Sequence, residues 1–121
     1  MSIDRYVYHE EDTPTYTPAG HDGTVNRRLI GEAENFHLVL GTLEKGAVAR
    51  RHSHSDLEQG MYVLEGRARI EIDGEAKEVA EGGVIFFPVG VPHRIEALGD
   101  PVTRFLIVYS PPLKAHPDPT P

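Results

Sequence analysis

Residues 52–59 read HSHSDLEQ, and a lone imidazole follows at His93 after a Gly/Pro-rich turn. Together these could supply four ligands to one first-row transition metal. In an extended strand alternate side chains share a face, so His52 and His54 can reach a single point, whereas a helix would set them about 200° apart. Imidazole nitrogen suits zinc, copper, iron and nickel, and a nearby amide or carboxylate oxygen extends the range to manganese. The expected cofactor is one divalent transition metal ion, with Fe, Mn, Ni and Zn all open.

Strands must position such a site, and the rest of the chain is rich in strand signals. Gly, Pro and Asp punctuate short apolar runs at spacings of roughly 8–12 residues, the rhythm of β-sandwiches and barrels. Phe36 to Leu43 and Met61 to Leu64 are β-prone runs. Arg67 to Asp73 alternates charged residues with Ala68, Ile70 and Ile72 and ends in Asp73-Gly74, a dipeptide favoured in two-residue hairpins. Ala76 to Val79 is the expected return strand. Val84 to Phe87 is continuously apolar and predicts a strand buried on both faces. Arg104 to Tyr109 is the last strong strand, closed by Pro111-Pro112. No convincing helix is found, and the predicted class is all-β.

The ends read differently. Residues 1–25 are polar, with Pro14, Pro18 and a turn-rich stretch over 19–23; within them Tyr6, Val7, Tyr8 and Tyr16 could add an edge strand or reach across a dimer. Five of the last eleven residues are proline, which predicts an extended or disordered tail. The length of 121 residues suits one domain. Twelve basic and 19 acidic residues give 12 − 19 = −7, so the surface should repel nucleic acid and anionic membranes. No apolar run approaches the ~20 residues of a membrane span, and the N-terminus lacks the apolar core of a secretory signal, so a cytoplasmic location is expected. With no cysteine, the metal site must be built from nitrogen and oxygen.

The chain resembles a small single-domain cupin, a family whose two short motifs surround a metal pocket in a double-stranded β-helix, or jelly roll. The first family motif runs Gly, five residues, His-x-His, three or four residues, Glu, six residues, Gly. Gly46, His52, His54 and Gly66 stand at those places. The second runs Gly, five residues, Pro-x-Gly, two residues, His, three residues, Asn, and is matched at Gly82, Pro88, Gly90 and His93, with fifteen residues between Gly66 and Gly82. The resemblance covers residues 36–110. It implies an N-terminal arm over 1–35 with an edge or swapped strand, a cupin domain over 36–110 and a Pro-rich tail over 111–121.

Two departures matter. Counting back from Gly66 places Gln59 where the family has its glutamate, with Glu58 next to it. Strand alternation points these two to opposite faces unless a bulge intervenes, and Gln59 is the favoured ligand. Ala97 takes the place of the terminal asparagine. The implied metal ligands are thus His52, His54, Gln59 and His93. Three imidazoles and an amide leave a divalent ion its full +2 charge, which favours an anionic ligand in the open positions.

The resemblance permits a metalloenzyme acting on a small oxygenated or carboxylated molecule, by dioxygenase, isomerase or lyase chemistry, and equally a cupin that binds metal or a small ligand without turnover. Glu58, Tyr62 and Tyr109 are candidate bases, none assured. Met61 and Val63, with one each of Phe36 or His37, Phe86 or Phe87, and Phe105, Ile107 or Tyr109, are candidate pocket walls. His9, His21, His37 and His116 read as ordinary polar residues, and Arg27-Arg28 and Arg50-Arg51 as solvated surface. The expected partners are a small molecule and a second copy of the chain in a homodimer, with no nucleic acid and no membrane.

Overall fold

The computed structural model of the protein describes residues 2–30, 32–112 and 118–119. Ten strands run through it in chain order: β1 (Thr15–Tyr16), β2 (His21–Ile30), β3 (His37–Ser53), β4 (Glu58–Glu65), β5 (Arg67–Ile72), β6 (Glu75–Ala80), β7 (Val84–Phe87), β8 (His93–Ala97), β9 (Val102–Ser110) and β10 (Asp118–Pro119). Two three-residue 3-10 turns, Ile3–Arg5 and Glu10–Asp12, precede them, and no α-helix occurs among the described residues. The fold is all-β, as expected. Much of the Pro-rich tail, His116 included, lies outside the described residues.

Local chemistry explains the clearest element. Asp73 and Gly74 both adopt positive φ, at 50° and 86°, the geometry a two-residue hairpin turn needs, and β5 and β6 pair on either side of them from Arg67↔Ala80 to Ile72↔Glu75. Around that hairpin a strip forms in the order β6-β5-β8-β3-β9-β4-β7, with β2 added along β3 and β1 along β2. The strip curls into a nearly closed barrel. Its inward residues, among them Val39, Met61, Ile70, Phe87, Ile95 and Phe105, form one core cluster. Burying a side chain such as Phe87 or Phe105 contributes about 1.5–3 kcal/mol relative to exposure.

Gly66 shows why a motif position is glycine. Its φ is +80°, and a Cβ there would stand 2.7 Å from the carbonyl oxygen of Val102, so the turn between β4 and β5 packs directly against the start of β9.

One feature differs from a sequence expectation, and two add detail to what was expected. Val84–Phe87 is buried on one face only: Ile85 and Phe87 point inward, while Val84 and Phe86 are 73% and 56% exposed on the outer face. An unbroken apolar run carries no alternation, so it cannot report which face is covered. The second is β2, ten residues long, inside what reads as an arm; it pairs along β3 of the same chain from His21↔Ala49 to Ile30↔Leu38. Third, β3 reaches well past Leu43 to Ser53 and so carries His52 itself.

Candidate metal centre

The face on which His52 lies is set by an irregularity. Along β3, Ala47 and Ala49 are buried, so strict alternation would turn Arg51 and Ser53 inward next. Instead the ladder with β8 shifts between Ala49↔Ile95 and His52↔His93, which places one extra residue in β3. Arg50 and Arg51 are both exposed at this bulge. The bulge re-aims the chain so that His52 faces His93. His54 follows on the loop after β3, and its carbonyl accepts from the Gly90 amide at 2.7 Å, tying this loop to the one that leads into His93.

The three rings converge. Centroids lie 4.4 Å apart for His52 and His93, 5.0 Å for His52 and His54, and 5.6 Å for His54 and His93. One ligand atom from each falls within 4.8 Å of the others, a grouping that could hold a metal ion. His93 is further fixed by stacking on Phe87 at 4.2 Å, and His54 meets Tyr109 edge-on.

Hydrogen bonding settles how the nitrogens are used. Nδ1 of His52 lies 2.7 Å from the Arg50 carbonyl, and Nδ1 of His93 lies 3.1 Å from the Val91 carbonyl. A carbonyl only accepts, so both Nδ1 atoms carry the proton and both Nε2 atoms present a lone pair. Those two Nε2 atoms face each other at 3.1 Å. Protonating either ring to link them makes a buried imidazolium, which the site disfavours: burial, His52 and His54 push the His93 pKa down to about 3, and burial pushes His52 below its ordinary value. A backbone carbonyl on one ring nitrogen and a metal on the other is the usual arrangement of ligating histidine.

Gln59 and Glu58 part as alternation requires. Gln59 is 4% exposed, whereas Glu58 is on the outside of β4. Gln59 donates from Nε2 to Met61 Sδ at 3.3 Å, and its buried Oε1 has no hydrogen-bond partner in the protein. An orphaned buried carbonyl oxygen costs about 1–3 kcal/mol, and an oxygen ligand is what a metal would take from an amide. His52 and Gln59 line a common cavity of about 30 Å³, with Met61, Phe105, Ile107 and Tyr109 among its walls. Val63 and Phe87 belong to the core cluster, His37 is buried, none of the three lines this cavity, and Phe86 is on the outer surface. Tyr62 is 45% exposed, which leaves Tyr109 as the one candidate base of the three that reaches the cavity. Burial raises the Tyr109 pKa well above the ordinary phenol value, so its hydroxyl stays protonated.

Residues that sequence reasoning passed over complete the cavity: His21, Thr24 and Asn26, all on β2. The His21 ring lies 6.3 Å from that of His52, and burial together with His52 and Arg50 pushes its pKa down to about 4. The available signal was weak, because His21 stands in a Pro/Gly-rich stretch and the inward residues Thr24 and Asn26 are polar, so β2 shows no apolar alternation.

Residues 39–109 match the family described as Cupin domain, and the chain belongs to that family. An uncharacterized protein of Methanocaldococcus jannaschii is 32% identical over 95 residues, 75% of this chain and 76% of that one. The polyketide cyclase RemF of Streptomyces resistomycificus superposes with a TM-score of 0.76 at 28% identity, covering 93% of this chain and 81% of RemF. Oxalate decarboxylase of Bacillus subtilis is 34% identical over 95 residues, but this chain spans only 24% of it. A structure of that enzyme described with Mn(II) centres superposes at 28% identity with a TM-score of 0.72.

Proposed function

We propose that the protein is a metal-dependent enzyme acting on a small oxygenated or carboxylated molecule, with one divalent transition metal ion held by His52, His54, His93 and Gln59. The observation that carries this reading is the approach of two proton-free Nε2 atoms, of His52 and His93, to 3.1 Å inside the barrel. The orphaned Gln59 Oε1 supports it, since a fourth neutral donor removes the cost of that buried oxygen. When bound, the ion supplies Lewis-acid stabilisation of an anionic substrate oxygen.

This chain's own residues then define the rest. Four neutral donors leave the ion its charge, and apolar walls such as Phe105 and Ile107 lower the local dielectric, so an anion is drawn strongly. His21, neutral at pH 7, offers a ring nitrogen for hydrogen bonding, and the protonated Tyr109 hydroxyl can donate a hydrogen bond. These two hydrogen-bonding groups suit the orientation of a substrate oxygen, and dioxygenase, isomerase and lyase chemistry all remain open to the site. The relatives are consistent with oxygen-rich substrates: one is an oxalate decarboxylase and one a polyketide cyclase.

A second reading, binding of metal or a small ligand without turnover, is favoured by one observation, the cavity volume of about 30 Å³, room for about one or two waters. Metal titration separates the outcomes. Protein prepared without an affinity tag and stripped by chelator should take up about one equivalent of Mn²⁺, Fe²⁺, Ni²⁺ or Zn²⁺, and the double variant His52→Ala/His54→Ala should take up none. Uptake without solvent-proton exchange or turnover on any small hydroxy- or keto-acid would select the binding reading; absence of uptake by the wild type would end both.

A further inference from the structure

Apart from the proposed donors His54, Gln59 and His93, the buried polar side chains among the described residues are His37, Thr103 and two on β2. There His21 is half-buried, Thr24 is 2% exposed and Asn26 4% exposed. Inward polar groups are costly in a core and are kept where they are hydrogen-bonded or used. Internal bonding accounts for little of this wall: Thr24 Oγ1 reaches the Asp22 carbonyl and His21 Nδ1 only at 3.4 Å each, the outer limit of a hydrogen bond. Room has been made for Asn26 as well. Its register partner on β3 is Gly41, and a Cβ at that position would stand 3.1 Å from Asn26 Oδ1. A glycine in a strand interior, with an amide leaning over it, marks a place where a group must fit closely.

The three residues line the cavity shared by His52 and Gln59, and His21 is not among the three histidines whose ligand atoms group together. His21 therefore faces the space beside two of the proposed donors, His52 and Gln59. None of the three brings a positive charge to it at neutral pH, and Arg50, whose charge acts on His21, is paired with Asp22 at 3.0 Å on the exposed side.

We propose that β2 forms a second half of the binding site, in which His21 and Asn26, on a cavity with room for about one or two waters, recognise the uncharged hydroxyl or carbonyl oxygen of a short ligand whose anionic oxygen would bind a metal ion held by His52, His54, His93 and Gln59. The substrate class this defines is a short hydroxy- or keto-carboxylate, distinguished from a plain carboxylate by its second oxygen and from a dicarboxylate by the absence of a second positive charge. The inference rests on the metal reading above and assigns the substrate side of the same site.

The test uses full-length protein loaded with Mn²⁺ and two probes of equal charge, glycolate and acetate, which differ by one hydroxyl. Binding is read from the relaxation of water protons on the bound manganese. Wild type should hold glycolate about 3- to 10-fold tighter than acetate, the worth of one net hydrogen bond. His21→Phe and Asn26→Leu, which keep size and remove the hydrogen-bonding atoms, should each reduce that ratio toward one while leaving Mn²⁺ affinity within threefold. Should His21→Phe fail to fold, Asn26→Leu carries the test alone. A ratio unchanged in the folded variants, no discrimination in the wild type, or a tenfold loss of Mn²⁺ affinity in His21→Phe would each overturn the proposal. No Mn²⁺ uptake by the wild type would instead overturn the metal reading beneath it.

Discussion

Lowering the pH should destabilise the metal-free protein well before its carboxylates titrate, because it folds with histidines that resist protonation. His93 is held at about 3 and His21 at about 4, both below the ordinary 6.5, mainly by burial. A histidine whose folded pKa is depressed is neutral in the native state while the unfolded chain already binds a proton. The stability it contributes is thus fully present above 6.5 and is lost as pH falls through 6.5 toward the folded value. At pH 5 each such group costs about 2 kcal/mol, from RT ln of (1 + 10^1.5) over a folded-state factor close to one, and this hardly depends on the folded pKa once it lies below about 4.5. Two groups give about 4 kcal/mol, a large part of the roughly 5–15 kcal/mol that holds a domain together. His52, shifted the same way, adds to it. Urea unfolding in excess chelator at pH 7.5, 6.5, 5.5 and 5.0 measures the fall directly. His93→Gln should lose about 2 kcal/mol of the pH dependence, one histidine's share. A total fall below about 1 kcal/mol between pH 7.5 and 5, or an undiminished slope in His93→Gln, would refute the buried neutral cluster.

Metal should reverse part of this: at a hundredfold excess over Kd the protein gains about 2.7 kcal/mol at neutral pH in a calorimetric or urea assay, and His52→Ala/His54→Ala gains nothing. Gln59→Glu lowers the charge of the loaded site from +2 to +1. Acetate affinity of the Mn²⁺-loaded variant should drop at least tenfold, since one charge at about 4 Å in an effective dielectric of about 20 is worth about 4 kcal/mol; unchanged affinity would show that Gln59 lies away from the anion. Gly99→Ala should destabilise by about 1–3 kcal/mol without altering metal stoichiometry, because a Cβ there would stand 2.5 Å from the Val102 carbonyl oxygen and 2.9 Å from Gly66 Cα. Equal midpoints for that variant and the wild type would show that the turn can yield.

What the sequence makes legible here is what is decided within a few residues. The Asp73-Gly74 turn is one such feature, since two positive φ angles and a fixed loop length leave a single register for β5 and β6. The histidine spacing is another, in that His52 and His54 need only a common face. The face itself is decided non-locally, by a shift against β8 that swings Arg50 and Arg51 to solvent. No pattern within HSHSDLEQ announces that shift. Val84 and Phe86 teach the same lesson from the outside, for apolar residues on the outer face and on the core face are indistinguishable in a run that contains both.

The strand whose bounds the sequence marks least, β2, also brings three polar side chains, His21, Thr24 and Asn26, to the cavity. These two facts have one cause. A strand is recognised by apolar residues on its buried face, and β2 buries Thr24 and Asn26 there while His21 stands half-buried at its start. The same exchange of apolar for polar groups that erases the strand signal creates hydrogen-bonding capacity inside the barrel, so the local rule fails where binding is built. His52 and His93 follow the same logic one step further. Burial lowers the affinity of both imidazoles for a proton, and His52, its Nε2 3.1 Å from that of His93, lowers the affinity of His93 further. A single dication between the rings would be held by both lone pairs without a second positive charge beside it. A buried pair of neutral rings that disfavours imidazolium would favour a shared metal ion under the proposed reading, and the stability lost in acid is the measurable sign of that buried neutral pair.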